Sequence, residues 1–197
     1  MRKLFLILSA LFLISSCATN RDEPVVSRLW EMQSNGHYVF ESNNPHNTGL
    51  VSHKSWSGFH QNASYLAVEY TRHTGGRGML FGLKIELDET LTLPVLAVDH
   101  KGRYNFIDPE TQRAINTKWI KLDGYTAGKP LLLEAKRQNG DWVYYIEGQQ
   151  LGNFPGNYSN ARYGVMVYTT YGHDSWGAPT DFPGKKIHVE IKVLEER

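Results

Sequence analysis

The sequence predicts an all-β domain built as two antiparallel sheets packed face to face. Three observations carry this. Apolar residues recur with period two in short runs from His37 onward; Gly, Asn, Asp and Pro separate the runs; and no stretch holds a helical period over three turns. The segments between runs leave no room for the crossovers that parallel pairs need, and stacking two antiparallel sheets buries one face of each. The lack of an internal repeat argues against a propeller.

Taken in order, the chain opens MRKLFLILSALFLISSCATN, where Arg2 and Lys3 precede an apolar or small-residue run from Leu4 to Ile14. At about 1.5 Å of rise per residue, eleven residues are too few to cross a bilayer core of about 30 Å. A charged start, a short apolar middle and small residues fit an export signal. Leu13-Ile14-Ser15-Ser16-Cys17 resembles the lipobox of bacterial lipoproteins. That resemblance implies cleavage after residue 16 and a diacylglycerol and acyl chain, such as palmitate, on Cys17. Ala18 follows where an aspartate would favour inner-membrane retention, so the resemblance implies a cell-envelope protein of the outer membrane. Cys17 is the sole cysteine, which excludes an internal disulfide and leaves a thiol that lipidation accounts for. Loss of Arg2 and Lys3 with the signal leaves a nearly neutral chain, without the basic field that nucleic acid or anionic lipid requires.

Residues 17–34 read as the lipidated cysteine and a polar tether, with Leu29, Trp30 and Met32 docking its far end, and 35–197 as one β-sandwich domain. Strands are expected at 37–42, 48–54, 64–72, 78–87, 94–100, 103–108, 118–122, 131–138, 142–148, 162–170 and 186–195. Turns are expected at 100–102, 138–141, 147–150 and 182–185. Asn139-Gly140 is the strongest of them, since both residues accept the positive φ of a tight hairpin. On the strand after it, Trp142, Tyr144 and Ile146 share one face and Val143, Tyr145 and Glu147 the other, and so many aromatics point to core packing.

The order GRYNFID, KWIKL, LLLEAKRQNGDWVYYIEGQQLGNF, ARYGVMVY, with SYLAVEYTRHTGGRGMLFGLKIEL upstream, is similar to the concanavalin-like, laminin-G-like jelly rolls. The resemblance covers about residues 36 to 195 and implies a two-sheet antiparallel jelly-roll sandwich (concanavalin A-like). It fixes fold far better than function. Endo-glucanases of this fold carry a strand resembling E-x-D-x-E. Here Glu86, Leu87, Asp88, Glu89, Thr90 supplies Glu86 and Asp88 as weak catalytic candidates, with Thr and Leu where the acid should stand. Retaining hydrolysis needs two carboxyls about 5–5.5 Å apart across the scissile bond, so the motif is incomplete. A looser resemblance to hydrolases of 3-keto-disaccharides transfers no residue.

Eight histidines form no H-E-x-x-H or Cys/His set, and no nucleophile elbow or phosphate-cradling loop occurs. No metal and no cofactor is expected. The long loop between Tyr168 and Lys186 is the expected ligand-binding region. Tyr171 and Trp176 offer flat faces and His173, Asp174 and Asp181 directional polar groups, a mixture suited to sugars. Trp56 belongs to a second patch of similar composition. The same aromatics would equally plug the edge of the sandwich, and Asp174 with Asp181 offers oxygen ligands for calcium, as in some relatives of this fold, with no spacing rule to make it a strong signal. The sequence thus points to a membrane-anchored extracytoplasmic lipoprotein whose non-catalytic sandwich binds a polysaccharide or an envelope protein. A glycoside-processing hydrolase and a purely structural envelope protein are the alternatives.

Overall fold

The computed structural model describes residues 31–34, 36–42, 50–55, 60–76, 79–87, 91–156, 158, 160–169 and 187–197. Among these the secondary structure is all β: β1 Glu31–Ser34, β2 His37–Ser42, β3 Leu50–Ser55, β4 His60–Gln61, β5 Tyr65–Thr74, β6 Met79–Glu86 and β7 Val95–Asp99. Then follow β8 Arg103–Ile107, β9 Ile120–Lys121, β10 Pro130–Gln138, β11 Asp141–Ile146, β12 Gln149–Pro155, β13 Asn160–Thr169 and β14 Ile187–Glu196. They form two seven-stranded sheets. The first runs β1-β2-β14-β5-β10-β11-β12, and the second runs β3-β13-β6-β7-β8-β9 with β4 paired to β13. Every pair is antiparallel.

The expected hairpin closes through Asn139 and Gly140 at φ 52° and 89°, setting Gln138 opposite Asp141 and Arg137 opposite Trp142. Trp142, Tyr144 and Ile146 face the other sheet in the main core, as their alternation requires. Tyr144 meets Phe106 and Phe154 edge-on, and Trp142 meets Tyr163 the same way. Each such side chain, removed from water, contributes about 1.5–3 kcal/mol. Tyr70 crosses the core and donates its hydroxyl to the Gly82 carbonyl at 2.5 Å. Gly82 is obligatory for packing rather than for φ, because a Cβ there would lie 1.7 Å from the Leu96 carbonyl oxygen.

Four strands differ from expectation. Glu31–Ser34, in the stretch read as tether, pairs with β2 and extends the first sheet. Gln149–Pro155 forms an edge strand, because the turn expected over 147–150 closes within Glu147 and Gly148, both at positive φ. Its Gly, Asn and Pro content hides it from propensity, and the paired neighbour on one side holds it. The two-residue β4 is too short for any periodicity to show. The run expected at 118–122 pairs only over Ile120–Lys121, which leaves Trp119 outside the ladder.

Candidate functional site

The second sheet turns Phe81, Leu83, Ile85, Leu96 and Val98 into the main core. By the period of two, the alternate residues face outward. Leu80, Val95, Ala97 and Met166 form a second buried apolar cluster there, joined by the partly buried Ile107 and Trp119. The outward face of an antiparallel sheet is commonly polar. Here it is an apolar cluster that is itself buried, with the half-buried Trp119 at its margin.

A loop from Asp108 to Lys118 brings Trp119 to that cluster, and Asn105 on β8 holds the loop. The Asn105 side chain is fully buried. Its Nδ2 donates to the Asn116 carbonyl at 2.8 Å, and its Oδ1 accepts from the backbone N–H groups of Phe106 and Asn116 at 2.8 and 3.1 Å. Asp108 Oδ1 accepts from the backbone N–H groups of Glu110 and Thr111 and from the Thr111 hydroxyl. The Thr111 bonds hold this carboxyl below its ordinary range. A bridge between Ile107 and Ala114 closes the loop onto the strand.

Glu86 sits at one end of this face, directly opposite Arg162 on β13. Its buried carboxylate is ion-paired with the guanidinium of Arg162 and the ammonium of Lys84, two residues back on its own strand. Burial pushes the carboxyl up, but hydrogen bonds and charge from Lys84 and Arg162 outweigh it and hold Glu86 below the usual glutamate range. It is an anion at neutral pH and has no proton to give. At the other end stands Asp99, opposite Leu80 on β7 and therefore on the same face. Its Oδ2 takes Arg103 Nε at 2.7 Å, while Oδ1 takes the backbone N–H groups of Lys101 and Arg103. From Leu80 to Glu86 is six residues of strand, so the two carboxylates lie about 20 Å apart at ~3.3 Å per residue. A retaining pair needs about 5–5.5 Å and an inverting pair about 6.5–9.5 Å.

The outward face of the first sheet gathers histidines that the sequence leaves scattered. His37 Nε2 and His73 Nε2 stand 2.6 and 3.1 Å from the two oxygens of Glu190. The His73 and His188 rings lie 4.7 Å apart, and His188 reaches Glu41. Hydrogen bonding from His73, more than the opposing burial, holds Glu190 below its ordinary range, with His37 adding to it. Among the described residues no group of three or more His, Cys, Asp or Glu side chains is arranged to hold a metal ion.

Of the residues singled out in the sequence, Glu86 lies on the second sheet as described. Asp88, Trp56, Tyr171, His173, Asp174, Trp176, Asp181 and Cys17 lie outside the described residues. The chain is described as far as Thr169, opposite Met79 and Leu50, and again from Ile187, opposite Ser42. Sequence reading missed Arg162, Lys84, Asn105 and Trp119. Lys84-x-Glu86 carries a signal, since i and i+2 on a strand share a face. Arg162 gives none without the register that sets it opposite Glu86.

Two antiparallel sheets with this strand order define a concanavalin-like jelly-roll sandwich. No family model matches the sequence, and no curated protein matches it. Solved structures do. A carbohydrate-binding module, CBM66, from Bacillus subtilis superposes with TM-score 0.54 at 12% identity, covering 85% of this chain and 91% of the module. A laminarinase from Flavobacterium sp. UMI-01 gives 0.56 at 12%, covering 85% and 82%. The alginate lyase from Corynebacterium sp. gives 0.53 at 10%, covering 91% and 84%. At such identities the likeness is one of fold. The same sandwich serves a sugar-binding module and sugar-cleaving enzymes, so the side chains on its faces must separate the two.

Proposed function

We propose that the chain is a membrane-anchored extracytoplasmic lipoprotein whose sandwich binds a glycan without cleaving it. The observation that carries this is the state of Glu86. Its carboxylate is committed to ion pairs with Arg162 and Lys84, and among the described residues the other buried carboxylate on that face, Asp99, lies about 20 Å along the sheet. Trp119, half-buried at the margin of the buried Leu80, Val95, Ala97 and Met166 cluster, supplies a flat apolar face for the C–H side of a pyranose. The carbohydrate-binding module among the structural neighbours supports the reading, and the lipobox supports anchoring through Cys17. The fold of the laminarinase keeps a glycoside-processing role as the second reading.

Titration calorimetry of the chain against a panel of envelope and plant polysaccharides, beside a reducing-sugar assay, tests it. Binding without release of reducing ends is expected, with Trp119→Ala weakening it about tenfold, the cost of one lost aromatic contact. Reducing-end release that Glu86→Gln abolishes would establish the hydrolase instead.

A further inference from the structure

A separate feature lies at the end of the first sheet where β5, β10 and β14 meet. Tyr65, Lys136, Arg137, Gln138, Glu195 and Arg197, with Ser64, line an open depression of about 470 Å³. Its acceptors are already engaged. The Glu134 carboxylate beside it takes the Tyr65 hydroxyl at 2.6 Å and the Lys136 ammonium at 3.0 Å, and Glu195 pairs with Arg197 Nε at 3.1 Å. The ring of Tyr65 has Lys136 over it at 5.3 Å and Arg197 at 5.2 Å, and Lys136 also lies 4.9 Å from the centre of the Tyr145 ring. The aromatic surfaces are therefore engaged by cations rather than offered to a neutral sugar.

Two of the three cations in this wall have a carboxylate partner. Among the described residues no carboxylate pairs with Arg137, although it shares the depression. The Gln138 amide already donates to the Tyr145 hydroxyl and the Ser64 hydroxyl to the Arg197 carbonyl. What the depression offers is therefore the Arg137 guanidinium, whose fork is complementary to a carboxylate taken in two parallel hydrogen bonds. Its volume falls in the range of small-ligand sites. Added-strand capture of an acidic peptide is closed here, because β5, β10 and β14 each already have neighbours on both sides.

We infer that this depression is a subsite for a carboxylate-bearing saccharide, with Arg137 gripping the carboxylate of a uronic acid unit. The inference rests on the glycan-binding reading above and narrows it to an acidic polymer. Calorimetry of the chain against a trigalacturonate, a neutral galacto-trisaccharide and hexaglutamate tests it. The trigalacturonate should bind more tightly than the other two and lose affinity as salt rises. Arg137→Gln should weaken it about tenfold or more, and Lys136→Gln should weaken it as well. Arg137→Lys, which keeps the charge but not the fork, should restore part of the loss. Undiminished binding in both glutamine variants would overturn the subsite, as would equal affinity for the neutral sugar or tighter binding of hexaglutamate. A chain that binds neutral glycans in a Trp119-dependent way and ignores trigalacturonate loses the subsite and keeps the function proposed above. A chain that binds no saccharide loses both.

Discussion

At the scale of single residues, Glu86 is held as an anion by two cations that outweigh its burial. This bars it from acting as an acid but not as a nucleophile, so it is the acid missing among the described residues that separates binding from chemistry. The folded-state pKa is depressed, so the stabilisation it brings is present above the ordinary glutamate value of 4.5 and is lost as pH falls through the lower folded value. Glu134 and Glu190 are shifted in the same direction and share the acid limb, which makes the comparison with a variant the informative one. Urea midpoints of the wild type and Glu86→Gln should differ most at neutral pH and converge below pH ~4. A gap that stays constant with pH would mean that Glu86 is not ion-paired in solution. The Lys84-x-Glu86 pair was legible in the sequence as one strand face, whereas the third member was not. Arg162 is 76 residues away, and only the β6–β13 register sets it opposite.

At the scale of elements, turns and the loop over β8 carry the fold and place Trp119. Asn139-Gly140 fixed its hairpin from sequence because positive φ at two successive positions is a local steric property. The edge strand Gln149–Pro155 was illegible because its stability comes from β11 beside it rather than from its own residues. The Asp108–Lys118 loop is the element on which the binding reading leans. Its anchor is one fully buried amide whose donor and acceptor are both satisfied. Asn105→Ala strands the N–H groups of Phe106 and Asn116 and the Asn116 carbonyl, and should cost about 2–3 kcal/mol in a urea melt. It should also weaken glycan binding, because Trp119 loses the loop that positions it. Unchanged affinity with lowered stability would separate Trp119 from the ligand.

At the scale of the whole molecule, the sandwich and the proposed anchor rest on different observations. The described strands close a core, while the lipobox-like Leu13–Cys17 sequence bears only on the proposal of where the domain is held. Acyl chains add about 0.8 kcal/mol per buried methylene, so Cys17→Ser should move the protein from the membrane to the soluble fraction on cell fractionation. Retention in the membrane by that variant would remove lipidation as the anchor.

What the sequence determined by itself is the class of architecture and most strand positions. Alternation of apolar and polar side chains is a property of neighbouring residues, and burying one face of each strand leaves few solutions. What only the tertiary structure decided is which outward residues meet: Glu86 with Arg162 and Lys84, Asn105 beneath its loop, Lys136 over Tyr65 and Tyr145. The reason is that these contacts depend on register and strand order across the sheets, which no local pattern of side chains encodes.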